Sequence, residues 1–288
     1  MASYYKHSGK TAPQGIIFGF LVGAAVSVPA AFLYDYGIFT IPSGKLRVFS
    51  TLAFGALIGA ASGVAMCWGK LRNKPLAAAI GFASSFFGLY TSWVAWILHL
   101  IYPSVWLFYP VRAVMHPGIL WQAARAVNTV GTWSNGGGTP EHGTILWIIW
   151  LTEALSILAA GTLVALALVQ RRPFCEQCGQ WCTERRKLYF APSLTAVQFK
   201  TQMESQSVAG LEKLTAGDKK QANFRVDLYS CGVCHTLNTL SLVQNFPHDI
   251  KTVVDKLLVT PEQASVIRNI EMNQRVSSGM AGIPAPTK

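Results

Sequence analysis

Charge is scarce in this chain. Only 13% of its 288 residues are Asp, Glu, Lys or Arg, and acids are scarcer than bases, 13 against 24. That is about half the charge of a typical soluble domain. With hydrophobic residues at 51%, the shortage points away from an all-soluble chain and towards a membrane protein. The usual catalytic signatures are also missing. Gly136-Gly137-Gly138 lacks the Lys-Ser/Thr that completes a phosphate-binding loop. There is no Gly-x-Ser-x-Gly elbow and no His-Glu-x-x-His zinc helix. His248 and Asp249 stand side by side with no nucleophile placed by a recognisable motif. No small-x-small cleavage site precedes Asp35, which speaks against a cleavable signal peptide. These absences together argue against an enzyme.

What is abundant is long apolar sequence. A bilayer core is crossed by about 20 apolar residues, and four stretches qualify: Gly15 to Tyr34, Val48 to Gly69, Pro75 to Tyr102 and Thr144 to Val169. An even number of spans places both termini on one side. On that side lie Lys6, Lys10, Lys70, Arg72, Lys74, Arg171 and Arg172; opposite are Lys45, Arg47, Arg112 and Arg125. The excess of cations predicts that both termini are cytoplasmic. A bacterial inner membrane is the expected location. The net charge of +11 is thereby explained without nucleic acid.

Inside the spans two features stand out. Gly55, Gly59 and Gly63 form overlapping Gly-x-x-x-Gly steps, and Gly19 and Gly23 repeat the spacing. Small residues at this interval let helix backbones approach where lipid gives no hydrophobic drive for packing. Contact inside a four-helix bundle is the plain reading, and self-association or binding of other membrane subunits through that face is the sharper one. The second feature is a pair of ionisable residues, His99 near the end of the third span and Glu153 within the fourth. Polar groups at such depth are costly, so they form a possible intramembrane polar site. The plain reading is a structural contact.

The loop 103–143 is too long for a simple turn. It is rich in aromatics, including Trp106, Tyr109, Trp121 and Trp133. From Gly118 to Val130 the apolar residues Ile119, Leu120, Ala123, Val127 and Val130 share one helical face, with Gln122, Arg125 and Asn128 on another. That pattern predicts a helix lying in the membrane interface. A re-entrant segment around Val105 to Val114 is the alternative, and Asn135 to Gly138 with Pro140 makes a flexible return.

After Arg171-Arg172-Pro173 the character changes. Two pairs, Cys175-Glu-Gln-Cys178 and Cys231-Gly-Val-Cys234, each bring two thiols onto one tight turn. Four thiolates in tetrahedral array suit a structural zinc. Strand patterns flank the turns: Arg185 to Phe190, Phe224 to Tyr229 with its alternation, and Thr236 to Val243. Strand, Cys-x-x-Cys turn and strand, occurring twice between Phe174 and Val243, resembles a zinc ribbon. The resemblance implies a closed Zn²⁺ site on Cys175, Cys178, Cys231 and Cys234. Between the turns lie 52 residues, more than the family usually has. The polar excess, 192–221, reads as a helical insertion capped at Ser193 or Thr195 and running to Leu214.

Two other metal readings use the same cysteines. Four thiolates also suit iron in a rubredoxin-like site. Cys231, Cys234 and His235 match the haem c attachment pattern, but that attachment takes place outside the cytoplasm and leaves the first pair unexplained. Cys182 and His235 stay outside the four-ligand set, and Cys67 reads as packing.

From Pro247 the expectation is a separate helical extension, 247–276. Its helix starts at Thr260-Pro261-Glu262-Gln263, with Thr as cap and Gln three residues later. A Ser-, Gly- and Pro-rich tail, 277–288, completes the chain. The expected domains are thus an N-terminal segment 1–14, a four-helix membrane domain 15–170, a ribbon-like α+β domain 171–246, the extension and the tail. The expected function is non-enzymatic: an accessory or scaffold subunit of a larger membrane complex with a structural zinc site. One alternative is a small transporter or channel component using His99 and Glu153. Another is a membrane-tethered ribbon that binds nucleic acid through Arg185, Arg186, Lys187, Lys219 and Lys220.

Overall fold

The computed structural model describes residues 2–41, 44–101, 116–132, 139–205, 211, 214–218, 221–247 and 249–277. The chain forms two compact units, residues 8–171 and residues 172–288 together with 1–7.

The first unit is helical. Its long helices are α1 (Pro13–Thr40), α2 (Gly44–Trp68), α3 (Lys74–Ile101) and α5 (Gly143–Arg171), with the shorter α4 (Pro117–Val130) between the last two. All four long helices have the length and apolar composition to cross a membrane. Their outer surfaces carry Leu33, Leu57, Phe86, Leu151 and Leu163, all more than half exposed. An apolar surface of that extent is disfavoured against water and suits lipid. Inside, α2 packs on α5 and α1, and α3 packs on α1 and α5. The contacts are close because the facing residues are small. A Cβ added to Gly55 would meet the backbone of Ile157, one on Gly59 would fall on the carbonyl oxygen of Gly161, and Gly63 lies against Ala165 and Leu168. On α1, Gly19 and Gly23 pack against Met66 and Ser84. The glycine face of α2 is therefore filled by α5 of the same chain.

Helix α1 runs past the expected end at Tyr34. The following Tyr36-Gly37-Ile38-Phe39 continues apolar, so nothing stops the helix before Thr40, and Asp35 is carried inside at 2% exposure. The expected helix over Gly118 to Val130 is present as α4. It buries Leu120, Ala124 and Asn128 and leaves Ile119, Trp121 and Val130 exposed. The re-entrant alternative, Val105 to Val114, and the return over Asn135 to Gly138 lie outside the described residues.

The second unit is built on an antiparallel sheet. After the short strands β1 (Phe174–Cys175) and β2 (Gln180–Trp181), β3 (Glu184–Phe190), β4 (Asn223–Ser230), β5 (Asn238–Phe246) and β6 (Asp249–Val259) follow one another as a four-stranded meander. Alternation along β4 sends Phe224, Val226 and Leu228 to one face, where they meet Leu188, Phe190, Leu240 and Leu242. Helices α6 (Ala196–Glu204) and α7 (Pro261–Ser277) close this core with Phe199, Met203, Ala264, Ile267 and Ile270.

Two expectations about this unit change. The stretch 247–259 is not helical: it turns at Pro247 and returns as β6, with Phe246 opposite Asp249. Ile250, Thr252, Val253, Val254 and Val259 are β-branched, and β5 supplies a partner edge, so strand wins over helix. The helix that follows starts at Pro261, with Thr260 accepting from the Gln263 amide, but its apolar face belongs to the sheet core rather than to a separate region. The insertion helix is also shorter than the expected run to Leu214. It has the Thr195–Gln198 capping box and ends at Glu204.

The N-terminal segment joins this sheet. Leu258 N–H donates to Ser3 O at 2.8 Å and Tyr5 N–H to Lys256 O at 2.9 Å, laying residues 3–5 along β6. An edge that would otherwise offer open hydrogen-bonding groups is thereby covered.

The helix contacts lead to a prediction. Gly59→Ala should destabilise the helical unit by about 1–3 kcal/mol through overpacking against α5. Gly44→Ala, with open space around it, should leave it within about 0.5 kcal/mol. Unfolding of the purified variants in mild detergent, followed by circular dichroism, compares the two; equal effects would sink the close-contact account.

Candidate metal centre

Each cysteine pair sits on a turn that its own segment enforces. In the first, β1 and β2 pair with Phe174 opposite Trp181 and Cys175 opposite Gln180. The return is made at Gly179, whose φ of +62° lies in the left-handed region that favours glycine. Phe174 and Trp181 meet edge to face with centroids 5.1 Å apart. Tyr5 clamps the base of this turn: its hydroxyl accepts from Phe174 N–H at 2.9 Å and lies 3.2 Å from Phe174 O.

The second pair caps the hairpin of β4 and β5, beyond the Ser230–Asn238 rung. Cys231 N–H donates to Leu237 O at 3.0 Å, and His235 N–H returns to Cys231 O at 3.1 Å. His235 takes a φ of +53° to make that turn, held by the Asn238 amide, which donates to His235 O at 2.8 Å. Arg268 of α7 reaches in to donate to Ser230 Oγ at 3.1 Å, so a third element fixes this knuckle.

The two turns converge. The sulfurs of Cys175, Cys178, Cys231 and Cys234 all lie within 4.8 Å of one another, and Cys175 Sγ is 3.6 Å from Cys234 Sγ. Four sulfurs bound at ~2.3 Å in a tetrahedron stand about 3.8 Å apart. The cluster therefore fits a single metal ion held by four thiolates. Cys175 and Cys231 are buried, and Cys178 and Cys234 are half-buried. Cys182, fully buried, packs against the cluster but does not belong to the four. His235 faces Glu184 at 3.9 Å and is half exposed.

Electrostatics divide the four. The Thr236 hydroxyl, 2.9 Å from Cys234 Sγ, together with the Thr236 N–H, draws the Cys234 thiol down to about 5. Its neighbour responds in the opposite direction. The Cys178 thiol, hydrogen-bonded to Cys234 and partly desolvated, is pushed up to about 12. Burial raises Cys175, and burial with nearby sulfur charge raises Cys182 to about 12. Without a cation, a thiolate is favoured at Cys234, while Cys175, Cys178 and Cys182 are driven towards the protonated form.

The intramembrane residues have partners that the sequence reading did not assign. His99 Nδ1 lies 3.0 Å from Asp35 Oδ2. The Tyr34 hydroxyl donates to Glu153 Oε1 and lies 2.8 Å from Thr51 Oγ1. The structure joins His99 and Glu153 each to one of two adjacent residues of α1. A span that stops at Tyr34 leaves Asp35 outside it. The unbroken apolar run to Phe39 was the signal that places Asp35 inside it.

The basic residues proposed for nucleic acid are partly committed elsewhere. Arg185 pairs with Asp227 at 3.0 Å and lies over Tyr229, and Arg186 pairs with Glu271 at 2.8 Å. Lys219 and Lys220 lie outside the described residues.

Two predictions follow from the cluster. Cys178→Ser or Cys234→Ser should abolish metal retention after dialysis against chelator, whereas Cys182→Ser should keep it; metal content per chain decides. Because Cys175 and Cys178, at the least, must each lose a proton on ligation, apparent affinity should rise by at least about 100-fold per pH unit around neutrality. Competition with a chromophoric chelator at several pH values measures that slope, and a flat profile would contradict thiolate ligation. Comparison with protein-family models, curated proteins and solved structures finds no match to this chain.

Proposed function

We propose that this chain is a non-enzymatic integral membrane protein whose four-thiolate module is a structural zinc site supporting a docking domain, and that it serves as an accessory subunit of a larger membrane assembly. The observation that carries this reading is the convergence of four cysteine sulfurs, from two turns far apart in sequence, to within 4.8 Å. Four thiolates saturate a tetrahedral ion, which leaves no position for water or substrate; such a site stabilises rather than catalyses. Zinc is favoured over iron because no motif for other redox machinery accompanies the cysteines in the sequence. When bound, the ion supplies a cross-link between the two knuckles. Haem c at Cys231, Cys234 and His235 is disfavoured because the sulfurs of the first cysteine pair stand within 4.8 Å of those of the second and His235 is turned towards Glu184.

The pairing of residues 3–5 with β6 supports the placement of both termini on one side of a four-span array. A cytoplasmic location for that side rests on the distribution of Lys and Arg. Self-association through Gly55, Gly59 and Gly63 is a weaker reading, since α5 covers that face. Docking through the cysteine-bearing unit or the lipid-facing helix surfaces is the stronger one.

The test is metal analysis of the purified protein beside its mass in mild detergent. One zinc per chain in a complex larger than the monomer is expected. Iron or haem would overturn the metal assignment, and a zinc-loaded monomer with no co-purifying subunit would overturn the accessory role.

A second reading, a transporter or channel component, draws on the buried Asp35–His99 and Tyr34–Glu153 contacts. On that reading Glu153→Gln should cut flux in reconstituted vesicles by an order of magnitude or more; unaltered flux removes its support.

A further inference from the structure

The helical unit contains a cavity of about 610 Å³, where the C-terminal part of α1 meets the start of α2, the end of α3, α4 and the start of α5. Its volume is that of a small-molecule site. Most of the wall is apolar, and Trp93, Trp96 and Trp150 make one side of it. These three rings pack edge to face, with centroid distances from 5.0 to 5.9 Å. Such packing holds them rigid.

Polar groups converge on the same space. Tyr34, Asp35 and Glu153 all line it. Asp35 is the informative one. It is 2% exposed, its Oδ2 is engaged by His99, and its Oδ1 is buried with no hydrogen-bond partner among the described residues. A buried carboxylate oxygen left unpaired is costly, and a carboxylate accepts hydrogen bonds but cannot donate them when ionised. Thr132 Oγ1, also on the wall, is buried and unpartnered among the described residues as well. Glu153 adds a second acid, with Oε1 already taken by Tyr34. Arg47 is the cation on the wall, and its Nε donates to Ile41 O at 2.9 Å.

A missing donor beside two carboxylates, facing indole rings in a mostly apolar chamber, selects one ligand chemistry. The head must carry a positive N–H group, and the body must be apolar. Indole faces add attraction for a cation positioned over them. We propose that this cavity binds a compact organic ammonium ion with an aromatic or aliphatic body, its N–H group on Asp35 Oδ1 and its body against Trp93, Trp96 and Trp150. The site is independent of the cysteine cluster, so the metal reading and this one stand or fall separately.

Three probes with one bicyclic body separate head from body: naphthylmethylamine, naphthylmethanol and naphthoate. Their binding to the full chain in lipid nanodiscs is measured by equilibrium dialysis, with empty nanodiscs subtracted. The amine should bind saturably and at least about tenfold more tightly than the alcohol, with the carboxylate weakest. Asp35→Asn and Glu153→Gln should each reduce the preference of amine over alcohol by about tenfold, while Cys182→Ser leaves it unchanged. Equal binding of all three probes, absence of saturable binding, or a preference for naphthoate would overturn the proposal, the last by showing that Arg47 sets the charge of the site. Should either acid variant fail to fold, the three-probe series on the unmodified chain still decides.

Discussion

The second unit depends on one constraint: two cysteine turns separated by 52 residues must meet in space. Everything between and around them serves that closure. β3 and β4 pair along their whole length, from Glu184 opposite Ser230 to Phe190 opposite Phe224, and this pairing brings the first turn beside the second. The long intervening segment costs little more entropy to close than a short one would, since that cost grows only with the logarithm of loop length. A metal on the four sulfurs adds on the order of 10 kcal/mol to folding. Such a contribution matters for a unit whose apolar core is a single sheet face covered by two modest helices.

Helix α7 links the two levels of this unit. Ala264, Ile267 and Ile270 fill the sheet core, while Arg268 on the same helix donates to Ser230 beside the second knuckle. The core and the cysteine turn are thus positioned by one rigid element. Tyr5 does the same for the first turn from the other end of the chain. The cysteines therefore approach one another because hydrogen bonds and packing place them, at a spacing that could hold a metal ion.

The helical half follows another rule. In lipid the backbone must satisfy its own hydrogen bonds, so helices form and their packing is decided by shape. Gly55, Gly59 and Gly63 let α2 lie almost on the backbone of α5. Besides the buried Ser62–Ser84 contact, polar side chains form the pairs Asp35–His99 and Tyr34–Glu153, which involve ionisable groups. Both pairs belong to α1, and together they give one end of the helical unit a chemistry that the rest of its apolar interior lacks.

Four apolar runs, two Cys-x-x-Cys turns and the Thr260 helix start were legible in the order of residues, because each is a local pattern: span length, ligand spacing, cap chemistry. The α4 helix was legible for the same reason, through its periodicity. What the sequence could not decide were matters of partner. Residues 249–259 became strand because β5 offered an edge, and Asp35, which the apolar run to Phe39 carries into α1, found its partner in His99 of α3. Glu153 found Tyr34 rather than His99, since which side chains meet across helices depends on rotation and depth that no single segment encodes. The four cysteines were written in the chain; their meeting within 4.8 Å of one another was set by strand register, a property of the folded sheet.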